Sequence, residues 1–151
     1  LVGGFVVESW STRHLEQVWP QPPAIYQWFR GRPAGVVAEL PPAANEGRLY
    51  DPESRYMYFS TFHWQRLLNG YSGAFPESYL AFRRVMATFP DDNSVAFLRH
   101  QGADYIVLHE DLYGRERYRD VVNAMSRRTD LFEVMRAVSA GYEARIYRIA
   151  K

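Results

Sequence analysis

Tyr56-Met57-Tyr58-Phe59-Ser60-Thr61-Phe62-His63-Trp64, continued by Gln65-Arg66-Leu67-Leu68-Asn69-Gly70-Tyr71-Ser72-Gly73-Ala74-Phe75-Pro76, is the stretch on which the fold turns. Its first half is aromatic and β-prone and predicts a buried strand over Tyr56–Ser60. Its second half holds Asn69-Gly70, Gly73 and Pro76, the punctuation of a shaped loop. A loop so rich in Tyr, Phe, Trp and His is costly to leave in water. Either it plugs its own domain, with Trp64 and Phe75 buried, or it is a contact surface.

The flanking chain supplies the frame. Upstream, Pro20, Pro22 and Pro23 prepare a helix start, Ile25, Trp28 and Phe29 keep helical spacing, and Gly31 can stop the helix. Val36–Leu40 is a short apolar run that predicts a buried strand, ended by Pro41-Pro42. Residues 43–54 are polar, with Gly47 and Pro52, and predict a long surface loop. Phe5–Ser9 is a candidate first strand. Downstream, a helix is expected over Ser78–Thr88. Asp91-Asp92 open another, with Val95 and Leu98 inward and Gly102 as its stop.

Tyr105-Ile106-Val107-Leu108 is the clearest strand and Arg115–Ser126 the clearest helix, with Tyr118, Val121, Val122 and Met125 on one face. Two β-prone runs, Leu131–Val138 and Tyr142–Ile149, flank Ser139-Ala140-Gly141 and predict a hairpin. This order predicts one α/β domain spanning 1–151, with a mostly parallel sheet flanked by helices and a C-terminal antiparallel hairpin.

Composition narrows the function classes. The chain has 151 residues, 47% hydrophobic, which argues for a packed domain rather than disorder. Its 18 basic and 17 acidic residues leave a net charge of +1, so no long-range field points to nucleic acid. The pairs Arg83-Arg84 and Arg127-Arg128 read as solvated helix faces. With no cysteine, disulfides and thiolate metal sites are excluded. No run reaches the ~20 apolar residues of a membrane span. The sequence starts on the apolar run Leu1-Val2-Gly3-Gly4-Phe5-Val6-Val7, which reads as a first strand of a piece cut from a longer protein.

In an open α/β sheet, ligands sit beyond the carboxyl ends of parallel strands. Glu39, Ser60–His63 and His109-Glu110-Asp111 stand at those ends and would converge beside the Asn69–Gly73 loop. A bland reading holds that they only bond to one another and fix the loop. A serine hydrolase built on Ser60 or Ser72 with His109 and Asp111 is the enzymatic alternative. However, Gly70-Tyr71-Ser72-Gly73 places its second glycine one position early for a nucleophile elbow. His63, His109 and a carboxylate lack recognisable metal spacing, and no phosphate-cradling glycine motif follows a strand, so neither metal nor cofactor is expected. The aromatic loop suits a saccharide: rings stack on its C–H faces while polar neighbours meet its hydroxyls. The candidate ligand-binding residues are therefore Glu39, His63, Asn69 and His109 as hydrogen-bonding groups, and Trp64 and Tyr71 as stacking rings.

Val36-Val37-Ala38-Glu39-Leu40-Pro41, the Tyr56–Trp64 block and Asn69-Gly70-Tyr71-Ser72-Gly73 together resemble the C-terminal soluble region of bacterial polytopic membrane proteins related to the GT-C glycosyltransferases. These are lipid-phosphosugar-dependent enzymes that include the dolichyl-phosphate-mannose-type mannosyltransferases. Phe97–His109 and the closing Ile146-Tyr147-Arg148-Ile149 also fit, so the resemblance runs over roughly Ile25–Ile149. It implies an extracytoplasmic location beside the chain's own transmembrane region. It also implies a parent glycosyltransferase whose catalytic carboxylate lies in an earlier loop, so that no catalytic residue falls here. The expected role is then non-catalytic: recognising a glycan, acceptor or lipid-linked sugar, or scaffolding the membrane part.

Overall fold

The computed structural model describes residues 21–43, 50–70 and 75–150. The expected strand Phe5–Ser9 and the candidate residue Tyr71 lie outside them. A single helical turn, α1 (Ala24–Gln27), follows Pro23 and buries Ile25 and Tyr26 before Gly31 turns the chain at φ 75°. Strand β1 (Val36–Leu40) is buried at every position, as a strand covered on both faces must be.

The quoted stretch does not form its expected strand. Tyr56–Ser60 is the second half of an α-helix, α2 (Tyr50–Ser60), which also takes up the end of the presumed 43–54 loop. Pro52 sits in the first turn, where its missing N–H costs nothing. Glu53, Tyr56 and Phe59 are then buried at three-residue intervals. That helical face, defined by packing, overrides the aromatic β-propensity of the individual residues. The chain returns through a two-residue strand, β2 (Arg66–Leu67).

The rest follows its patterns. Helix α3 (Glu77–Met86) starts after Pro76 and buries Tyr79, Phe82 and Met86. Helix α4 (Asp92–His100) is capped by Asp91, whose carboxylate accepts the Ser94 N–H at 2.8 Å, and turns out at Gly102. Strand β3 (Tyr105–His109) leads into the short α5 (Glu110–Tyr113), then α6 (Arg115–Met125), which buries Tyr118, Val121 and Met125. Strands β4 (Leu131–Ser139) and β5 (Tyr142–Ile149) form the expected hairpin. Ala140 and Gly141 both take positive φ at its tip, as a tight hairpin turn with right-handed strand twist requires. Arg128 is no solvated face residue: it bonds Asp130 at 2.9 Å and Asp92 at 2.8 Å, tying the end of α6 to the start of α4.

The five strands lie in the order β2-β1-β3-β5-β4. The pairings β1–β2 and β1–β3 are parallel; β3–β5 and β5–β4 are antiparallel. The sheet is thus mixed rather than mostly parallel. The hairpin docks through β5 on the edge of β3 and contributes two antiparallel seams, and β2 is too short to balance them. The β4–β5 register slips between Glu133 and Met135, a bulge in the outermost strand.

Alternation along the central strands divides the core. Ala38, Leu40, Ile106 and Leu108 face α3, α4 and α6. Val37 and Val107 face Ile25, Tyr26 and Phe29 around α1 and Phe59 of α2. Glu39 and His109, two residues on from Val37 and Val107, share that second face.

Candidate functional site

Strands β1 and β3 run parallel with Leu40 opposite Leu108, so Glu39 and His109 meet at their carboxyl ends. His109 Nε2 and Glu39 Oε2 are 2.6 Å apart, and both side chains are sealed from solvent. Tyr26 from α1 and Tyr56 from α2 both stack against the His109 ring. Their ring centroids lie 6.0 Å and 5.3 Å from that of His109. Burial first, and then the nearby Glu39 carboxylate, push both phenols well above the usual tyrosine range, so they stay neutral. Tyr56 donates its hydroxyl hydrogen to the Pro41 carbonyl at 2.9 Å, fixing the chain as it leaves β1.

Asn69 extends the β1–β2 ladder past its last backbone bond. Its Oδ1 accepts the Glu39 N–H at 2.6 Å and its Nδ2 donates to the Glu39 carbonyl at 2.9 Å. Behind it lies Glu53, a residue that sequence reasoning assigned to a polar loop. Tyr79 donates to it at 2.6 Å and the Gly70 N–H at 3.1 Å, with longer contacts from Ala43 N–H at 3.4 Å and Asn69 Nδ2 at 3.5 Å. Burial raises its pKa, and these four donors pull the other way. The signal that could have found Glu53 was its three-residue spacing from Tyr56 and Phe59.

His63 is buried near this group but does not join the Glu39–His109 pair. Its ring lies between Tyr26 and Phe29, with centroids at 5.9 Å and 5.1 Å. Nδ1 accepts the Gln65 N–H at 3.0 Å, while Nε2 is buried without a partner. Burial pulls its pKa from 6.5 down to about 4. The folded protein thus keeps His63 neutral, while the unfolded chain takes up a proton once the pH falls below 6.5. Between those values the unfolded state binds more protons, so stability falls as pH falls, and it levels out below pH 4. At ~1.4 kcal/mol per pKa unit the ceiling is about 3 kcal/mol. Urea unfolding of the wild type and of His63→Asn from pH 7 to 4 is expected to show this loss only in the wild type. Parallel stability curves would contradict it.

The sequence-predicted residues therefore divide. Glu39, His109 and Asn69 come together, His63 lies one aromatic layer away, and Trp64 stands apart. Of the serine-hydrolase residues, Ser72 lies outside the described residues; Ser60 Oγ donates to the Met57 carbonyl at 2.7 Å, and Asp111 pairs with Arg55 rather than with His109. No group of three or more His, Asp or Glu able to hold a metal ion occurs among the described residues. None of the described helices is long and apolar enough to cross a membrane.

Trp64 is 81% exposed, with Met57 and Tyr58 partly exposed on the neighbouring helix. It takes φ 57°, uncommon for a bulky residue, and its N–H donates to the Ser60 carbonyl at 2.8 Å. A separate groove of about 570 Å³ lies just past the carboxyl ends of β1 and β3, between Pro41–Ala43 and helices α3 and α6. No family model matches the chain, and neither a curated protein nor a solved structure matches it.

Proposed function

We propose that this is a non-catalytic recognition domain, carried on the extracytoplasmic side of a membrane glycosyltransferase-like protein, and that its Trp64 corner contacts a saccharide. The observation that carries the reading is Trp64 itself. An indole held in water on a hydrogen-bonded turn is a ready stacking platform. An internal plug would have buried that ring. Glu39 and His109 are sealed and reach neither a substrate nor a ligand, so they hold β1 against β3 and the contact reading rests on the exposed Trp64 corner. The likeness of the Val36–Pro41 and Tyr56–Gly73 segments to the GT-C-related proteins supplies the parent protein and its membrane setting. In that setting the same corner can also face the protein's own transmembrane region or a lipid-linked sugar.

Trp64→Ala is the test. Stacking worth ~0.5–1.5 kcal/mol predicts up to about a tenfold loss of affinity for the oligosaccharides that bind, measured by calorimetry against a panel of neutral glycans. The melting temperature should stay nearly constant, since exposed positions usually contribute within about 0.5 kcal/mol. Unchanged glycan affinity together with a large loss of stability would overturn the reading.

A further inference from the structure

Trp64 occupies a position that the backbone makes uncomfortable. Its φ of 57° is the left-handed slot just past a helix, which glycine or asparagine usually fills. A bulky residue is strained there and persists only where its surroundings hold it. The indole returns little by packing, because it is exposed.

What holds it lies on either side. His63 and Gln65 are both buried, so Trp64 is the outward member of a buried–exposed–buried triplet. The Trp64 N–H donates to the Ser60 carbonyl at 2.8 Å. The Gln65 N–H donates to His63 Nδ1 at 3.0 Å, closing a ring of side chain and backbone around Trp64. Gln65 then fastens the turn to the start of β1: its Oε1 accepts the Gly35 N–H at 2.5 Å, and the Arg66 N–H donates to the Gly35 carbonyl at 3.1 Å. Of these bonds, only the one to His63 can be cancelled by a proton.

A backbone N–H can only donate, so Nδ1 is bare and the hydrogen of the neutral ring sits on Nε2. Nε2 is the atom that is buried without a partner. A second proton would therefore go to Nδ1 and meet the Gln65 N–H donor to donor. The surroundings offer the resulting cation no direct counter-charge. From α1 and the turn after it, the Tyr26 and Phe29 ring centroids lie 5.9 Å and 5.1 Å away. Helix α2 contributes Phe59, stacked on Tyr26. Strand β3 contributes His109 against Tyr26 and Tyr105 against Phe29. Glu39 of β1 is the carboxylate of this group, and it is bonded to His109 rather than to His63. Arg66, two residues beyond Trp64, is exposed and itself positive. Burial accordingly pulls His63 from 6.5 to about 4, whereas a ring swung into water would regain its ordinary value.

We propose that His63 is the positioning residue of the Trp64 contact, and that a proton on its ring releases the indole from the turn. Neutral His63 presents Trp64 to a saccharide. Protonated His63 loses the Gln65 bond, and the strained backbone at Trp64 then relaxes and carries the indole out of place. The purpose of this switch rests on the saccharide reading, but its mechanism does not, since it is built from the turn and the rings around it.

The test follows the turn itself by NMR, in the 151-residue chain without any glycan, from pH 7 down to about 3.5. Trp64→Phe identifies the Trp64 indole signal by its disappearance. In the wild type that signal should shift together with the His63 ring resonance, with a common midpoint between about 4 and 6.5. Exchange of the Gln65 amide, corrected for its intrinsic pH dependence, should speed up about tenfold over the same interval, as the loss of one hydrogen bond implies. Amides of α4, in the other half of the core, should show no such change.

His63→Asn puts an oxygen acceptor near the place of Nδ1 and takes up no proton, so it should keep the turn closed in acid. His63→Ala should resemble at pH 7 what the wild type becomes in acid, and the comparison of wild type with His63→Asn decides even if that variant does not fold. The proposal is overturned if the indole and Gln65 signals follow the same course in wild type and His63→Asn, if neither responds to acid, or if α4 exchange rises in step with Gln65. No glycan enters the measurement, so a failure of the saccharide reading is a separate result.

Discussion

Glu53→Ala should cost about 3–5 kcal/mol of folding stability, the scale reached when a buried polar network is broken. The side chain is fully buried and gathers four donors from three parts of the chain: Tyr79 on α3, Gly70 and Asn69 after β2, and Ala43 after β1. Alanine would leave these four donors without their common acceptor. At ~2–4 °C per kcal/mol for a domain of this size, the melting temperature should drop by roughly 6–20 °C. Glu53→Gln is the informative companion. Its carbonyl can still serve Tyr79, but its NH2 group would then confront the Gly70 N–H, so the loss should fall to about 1–3 kcal/mol. Equal melting temperatures for wild type and Glu53→Ala would show that Glu53 is not the hub.

The second large effect concerns the Glu39–His109 contact. Removing one partner of a buried, hydrogen-bonded pair typically costs about 3–5 kcal/mol, because the other is stranded. Glu39→Ala and His109→Ala should each show a loss of that order in urea unfolding. Glu39→Ala combined with His109→Ala should cost much less than the two single losses added together, since neither partner is then stranded. Strict additivity would mean that the 2.6 Å contact contributes no coupling.

That Glu39 and His109 would meet was legible from the chain. Both close short apolar runs, and period-two alternation puts residues at matching ends of neighbouring parallel strands on one face. The hairpin, α4 and α6 were equally legible, because capping residues, glycines and helical spacing agree there. Helix α2 was not. Met57, Tyr58 and Phe59 favour a strand taken singly, and the helical face of Glu53, Tyr56 and Phe59 only acquires meaning once α1 and α3 pack against it. The sealing of the pair was hidden for the same reason: its covers, Tyr26 and Tyr56, come from helices distant in sequence.

Sheets end in unmet backbone amides and carbonyls, which invite neighbouring molecules to join. Here both margins discourage such recruitment. On one side β2 offers only two residues, too few for a stranger to zip onto. On the other, the step out of register at Val134 bends β4, and Glu133 and Arg136 would have to lose water beside any newcomer. Concentrated solutions of the chain should accordingly stay free of fibrils, and deleting Val134 to straighten β4 should be the change that ends this protection.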